Sequence, residues 1–87
     1  MRHAGTEALD QLEDLLASLR SLPELTERGR GVFYLRSKAM LHFHEDPTGL
    51  YADVREPGAE FERVRVSTKR ERDALFRTVR RAVAAGA

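Results

Sequence analysis

The stretch from Lys38 to Glu56, KAMLHFHEDPTGLYADVRE, holds the side chains whose types and spacing could do chemistry. His42 and His44 are two residues apart, and Asp53 follows after a turn. Residues two apart on a β-strand project from the same face of the sheet, so the two imidazoles would lie side by side. Such a pair could contribute to a metal site or, beside a carboxylate, could act as a proton switch.

A four-residue loop over residues 46–49, with Pro47 at the second position of a type I turn, predicts the strand register. It gathers the apolar side chains on one face, which are Leu41, Phe43, Ala52 and Val54. The other face receives three pairs, which are His44 with Tyr51, His42 with Asp53, and Met40 with Arg55. We expect the Asp53 carboxylate to favour the protonated form of His42.

Metal binding and catalysis remain alternatives for this face. A histidine pair needs a third ligand and supporting hydrogen bonds, so the sequence predicts no metal or cofactor. The chain lacks a G-x-S-x-G elbow, a Walker loop and a G-x-G-x-x-G motif, so no catalytic residue is assigned and a non-enzymatic role is predicted. It also has no cysteine, which excludes disulfides and thiolate ligands.

The elements that must position these residues follow from periodicity. Leucines recur at helical spacing from Leu9 to Leu19 behind Thr6, a candidate cap, and Pro23 ends that helix, leaving PELTERGRG as a connection. Four extended segments follow between Val32 and Val66, joined by short turns. Thr68 and Glu71 then form a capping box before a last helix.

This order of elements predicts an α+β fold. We expect one domain over residues 1–87, with a four-stranded, mainly antiparallel meander flanked by N- and C-terminal helices that cover one face. A chain of 87 residues buries only about 60 to 65 per cent of its unfolded surface, so covering the second face would stabilise it.

The open face is therefore predicted to bind a partner protein or a second copy of the chain. Methionine, tyrosine and arginine are enriched at interfaces. The predicted contact residues are Met40, His42, His44, Tyr51, Asp53 and Arg55.

Charge asymmetry supports nucleic-acid binding as the alternative. Residues 55–87 carry nine basic and five acidic side chains, a net charge of +4, whereas residues 1–54 carry six and nine, a net charge of −3. A basic face attracts phosphates. The residues predicted for this alternative are Arg63, Arg65, Arg70, Arg77 and Arg81. The chain has no apolar run long enough to cross a membrane and carries acids near its start, so a cytoplasmic location is predicted.

The segments FYLRSKAMLHFHED, GLYADVR and FERVRVSTKRERDALFRTVRRAV resemble short bacterial proteins of unassigned function. They are more loosely similar to the luciferase-like domain of unknown function, in which an HLH stretch occupies a similar strand. The resemblance runs from the first predicted strand onward. It implies an α+β fold, and it implies no reaction, substrate or catalytic residue.

Overall fold

The computed structural model describes residues 1–86, which form an α+β fold with three helices and one six-stranded sheet. The helices are α1 (Thr6–Gln11), α2 (Glu13–Arg20) and α3 (Lys69–Gly86). The strands are β1 (Arg2–His3), β2 (Leu25–Glu27), β3 (Phe33–Leu35), β4 (Lys38–Asp46), β5 (Gly49–Val54) and β6 (Glu62–Arg65). The predicted fold class is confirmed.

The sheet has the order β2-β3-β4-β5-β6, and β1 pairs with β4 beside that path. All of its pairings are antiparallel. The predicted meander corresponds to β3–β6, and the prediction of four strands was two short. The strands that it missed have two and three residues, and β2 lies inside the predicted connection. Segments this short carry too few residues to show an alternating pattern.

The helix ends differ in how well their caps were predicted. The capping box of α3 is confirmed, because Thr68 N–H donates to Glu71 Oε1 at 2.9 Å and Glu71 N–H donates to Thr68 Oγ1 at 3.1 Å. The predicted cap at Thr6 was wrong. Gly5 precedes α1 instead, and its N–H donates to Glu45 of β4 at 2.6 Å. The predicted single first helix is also interrupted, at Leu12, which has a φ of −95° and a ψ of 5°.

The predicted register of β4 and β5 is confirmed. Leu41 pairs with Val54 and Phe43 pairs with Ala52. These four residues are buried in one apolar cluster with residues of all three helices. The helices and Leu12, which lies between α1 and α2, contribute Leu9, Leu12, Leu15, Leu16, Leu19, Leu75, Val79, Ala82 and Val83 to that cluster. We call this side of the sheet the inner face, and the side that carries the histidines the outer face.

A β-bulge in β4 changes the position that the sequence predicted for Met40. Pairing between β3 and β4 passes from Phe33 with Leu41 to Tyr34 with Ala39, which leaves Met40 as an extra residue on β4. The predicted pairing with β5 is present, since Arg55 N–H donates to the Met40 carbonyl at 2.8 Å. However, the Met40 side chain is only 2% exposed and belongs to the core. The prediction that Met40 lies on the open face was therefore wrong.

Candidate functional site

Three imidazole rings meet on the outer face, and we call His3, His42 and His44 the histidine cluster. The His3 and His44 rings stack with centroids 4.7 Å apart and planes 28° apart. The His42 ring meets His44 edge-on, with a centroid separation of 5.0 Å. One nitrogen from each of the three rings lies within 4.8 Å of the others. The cluster therefore brings three lone-pair donors into a single small volume.

Two strands position these rings. Alternation along β4 points His42 and His44 to the same side, as predicted. The third ring comes from β1, where His3 pairs with His44 in register. Glu45 holds this strand in place, because it accepts hydrogen bonds from the Arg2 guanidinium at 2.9 Å and from the Gly5 N–H at 2.6 Å.

His3 is the member of the histidine cluster that the sequence analysis missed. It lies 39 positions before His42, in a strand of two residues with no recognisable pattern. The chain contains only three histidines, and that count was the one signal that could have pointed to His3.

Asp53 connects the cluster to β6. The backbone register places it opposite His42, as predicted. Its side chain reaches the other ring, with Oδ2 lying 3.2 Å from His44 Nε2. Arg63 donates to both carboxylate oxygens of Asp53, at 2.8 and 2.9 Å. The hydrogen bonds from this guanidinium hold the pKa of Asp53 below its usual value, so the carboxylate is charged at neutral pH.

The protonation of His42 contradicts the prediction that Asp53 would favour its imidazolium form. Burial lowers the pKa of His42 below 6.5, and this effect exceeds the opposing attraction of the Asp53 charge. The neighbouring His44 and His3 lower it further. His42 is thus neutral at pH 7, with a nitrogen lone pair available, and its Nδ1 lies 3.1 Å from Nε2 of His44.

His44 is buried on a face that was predicted to be open. It is only 8% exposed, and the ring of His3 stacks on it. Its Nε2 has partners, but among residues 1–86 no group forms a hydrogen bond with its buried Nδ1. Buried polar atoms in proteins are nearly always paired, so this atom requires an explanation.

The remaining predicted outer-face residues surround the cluster. The Arg55 guanidinium donates to the Ala39 carbonyl and lies 4.6 Å from the ring centre of Phe61. Phe61 in turn lies 5.3 Å from His42 and is 41% exposed. Tyr51 points to the β4–β5 turn, where its hydroxyl and that of Thr48 are 2.8 Å apart. Arg55 is therefore linked to the cluster through Phe61, whereas the hydroxyl of Tyr51 is directed to the turn.

The residues of the nucleic-acid alternative are divided between two surroundings. Arg63 pairs with Asp53, and Arg65 lies 3.3 Å from Glu71. The α3 residues of this set are exposed, and they are Arg70, Arg77 and Arg81. The last strand therefore commits its arginines to carboxylates of the same chain, and the exposed basic residues lie on α3.

No protein-family model, curated protein or solved structure matches this chain. The resemblance to short bacterial proteins and to the luciferase-like domain therefore stays a prediction. Within residues 1–86, none of the helices combines the length and the apolar character needed to cross a membrane.

Proposed function

We propose that this protein is a small, non-enzymatic binding module that receives its ligand at the histidine cluster on the outer face of the sheet. The convergence of the three rings carries this proposal, because one nitrogen from each ring lies within 4.8 Å of the others. Two of these rings come from β4, and the third comes from a strand close to the start of the chain.

The energetics of His44 support a binding role. Leaving a buried polar atom without a partner costs about 1 to 3 kcal/mol. An apolar side chain at this position would avoid that cost, so the stability of the sheet does not explain the unpartnered Nδ1. A ligand that engages the ring would account for it, since local conflicts with folding rules concentrate at functional sites.

The geometry also favours a ligand at the cluster over a large protein interface across the whole face. Met40 and His44, two of the six predicted contact residues, are buried. Arg55 and Phe61 contact each other and so cover part of the same surface. Self-association through the outer face stays a prediction, and so does nucleic-acid binding through the exposed arginines of α3.

Ring signals in NMR spectra test this proposal directly, because all three histidines of the chain belong to the cluster. The protein, prepared without a histidine tag, is titrated separately with ZnCl2, inorganic phosphate and a short DNA duplex. Its own concentration is also raised from about 10 µM to about 1 mM, a range wide enough to detect weak self-association. We expect at least one titration to shift the ring signals while the amides of α3 stay unchanged. Responses confined to the exposed arginines of α3, or no response of the rings in any titration, would overturn the proposal.

A further inference from the structure

We propose that the ligand of the histidine cluster is a divalent transition-metal ion, bound through one ring nitrogen each of His3, His42 and His44. This inference rests on the proposed function, because it names the ligand of the same site. It adds a metal, a donor set and a residue that orients the donors.

The ring separations suit such an ion. Zn²⁺ binds histidine nitrogen at about 2.0 to 2.1 Å, so two nitrogens on a tetrahedral ion lie roughly 3.3 Å apart. One nitrogen from each of the three rings lies within 4.8 Å of the others, a little more than this separation. His3 is the exposed ring of the three, so it has the most room to turn toward the other two.

The donor chemistry selects the class of ion. Imidazole nitrogen suits zinc, copper and nickel, whereas Mg²⁺ and Ca²⁺ prefer oxygen ligands. The chain has no cysteine, so thiolate does not compete for the ion. Three neutral nitrogens leave a coordination position open for water or for an anionic group.

Asp53 is the positioning residue of this site. In many metal sites, a ligating histidine donates its second ring N–H to a carboxylate, which fixes the ring and its tautomer. Asp53 Oδ2 lies 3.2 Å from His44 Nε2, and Arg63 fixes the carboxylate from its other side through two hydrogen bonds. Placing the His44 proton on Nε2 leaves a lone pair on Nδ1, the buried atom that has no hydrogen-bond partner among residues 1–86.

Strand β1 completes the site, because it supplies the third nitrogen. Its backbone is fixed to β4 by the hydrogen bond from Ala4 N–H to the Phe43 carbonyl, at 3.0 Å. Its side chain Arg2 pairs with Glu45, 2.9 Å away. We therefore expect the bound ion to hold β1 against β4 and to slow amide hydrogen exchange in residues 2–4.

Isothermal titration calorimetry and native mass spectrometry of the untagged protein with ZnCl2 test the inference, with MgCl2 as the control ion. We expect one Zn²⁺ bound to each monomer, no dimer, and no binding of Mg²⁺. An ion shared between two chains, visible as half an ion per chain with a doubled mass, would overturn the single-chain site.

Two substitutions separate ligand from positioning roles. His3→Ala changes an exposed side chain, so the fold should persist, and we expect zinc affinity to fall at least about tenfold through loss of one ligand. Asp53→Asn should weaken affinity about 10- to 100-fold, as is usual for a carboxylate that supports a metal ligand. In ¹⁵N NMR spectra it should also change the tautomer of His44, which a purely structural role would leave unchanged. Asp73→Asn, on α3, is the matched control and should bind zinc like the unmodified chain.

The zinc result is distinguishable from the broader proposal. If Zn²⁺ fails to bind, or binds equally to the His3→Ala variant, the metal inference is overturned. Should phosphate or self-association then shift the ring signals, the cluster would still be a binding site and only its ligand would be wrong.

Discussion

The two faces of β4 and β5 are both closed to water at their centres, but they are closed by different means. On the inner face Phe43 is 3% exposed and belongs to one apolar cluster with side chains of the helices. On the outer face His44 is 8% exposed and lies under another imidazole, beside a carboxylate. Burial alone therefore does not distinguish the proposed binding face from the core face. The outer face differs because it holds polar groups whose hydrogen-bonding capacity is not fully used.

The largest expected effect comes from removing carbon from the inner face. Leu41 is fully buried, so Leu41→Ala leaves a cavity beneath the helices and should lower the free energy of unfolding by about 2 to 5 kcal/mol. Urea denaturation measures the loss. Leu25→Ala, at a half-buried position on the edge strand β2, is the control and should cost less. Equal losses at the two positions would contradict the assignment of the core to the inner face.

An ion-pair network around Glu27 on β2 contrasts with the histidine cluster, because both carboxylate oxygens of Glu27 accept hydrogen bonds. Glu27 accepts hydrogen bonds from Arg20 at 2.6 and 3.0 Å and from the Gly31 N–H at 2.9 Å. The Arg20 guanidinium, followed by this N–H, lowers the pKa of Glu27 below 4.5. Because the folded-state pKa is depressed, this stabilisation is present above pH 4.5 and is lost as the pH falls through the folded value.

Glu27→Gln should therefore lower the free energy of unfolding by about 1 kcal/mol at pH 7 and reduce its pH dependence below pH 4.5. Thermal unfolding across roughly pH 3 to 7, a range that includes the ordinary glutamate pKa of 4.5, measures both effects. Glu24→Gln, at an exposed position nearby, should change neither. An unchanged pH profile in the Glu27 variant would show that these hydrogen bonds do not stabilise the fold.

Substituting a buried residue of the outer face should change the free energy of unfolding much less than truncating the core does. His44→Leu replaces a buried ring that is incompletely partnered with an apolar side chain, and Asp53 keeps its bonds to Arg63. We expect the free energy of unfolding, measured in the presence of EDTA, to stay within about 1 kcal/mol of the unmodified value. The same variant should lose its response to zinc. A loss of 3 kcal/mol or more, roughly that of a core truncation, would instead make His44 part of the structural core.

Self-association through the outer face is the smallest effect that we predict. Phe61 is an exposed apolar side chain beside the cluster, at 41%, and one such side chain supports only a weak dimer. Light scattering at high micromolar concentration should show a rise in average mass that Phe61→Ser abolishes and Arg77→Ser, on α3, leaves intact. A strictly monomeric mass would refute the predicted homodimer.

Local rules predicted the parts of this fold that depend on neighbours in the chain. The register of β4 and β5 followed from one turn and from the alternation around Phe43. The capping box at Thr68 followed from two residues three apart. In each case the interacting groups lie within one hairpin or one helical turn, and a short stretch of sequence contains all of the information.

Parts that depend on distant contacts were missed. Strand β1 exists because Glu45, some 40 residues away, bonds to Arg2 and Gly5. His3 joins the cluster for the same reason, and the burial of His44 follows from its arrival. The pKa of His42 was predicted in the wrong direction, because the desolvation by these neighbours could not be judged from the pairing with Asp53 alone.

The bulge at Met40 lets the end of β4 near the β3–β4 turn shift without moving the end that carries the histidines. A bulge interrupts the ladder to β3, so a change in length of the β3–β4 turn can be absorbed there. Beyond it, the unbroken ladder to β5 from Leu41 to Asp46 keeps the spacing of the two imidazoles. Variants that lengthen or shorten the chain around Arg36 should thus leave the geometry of the cluster unaltered, which makes that turn a suitable place to attach a probe.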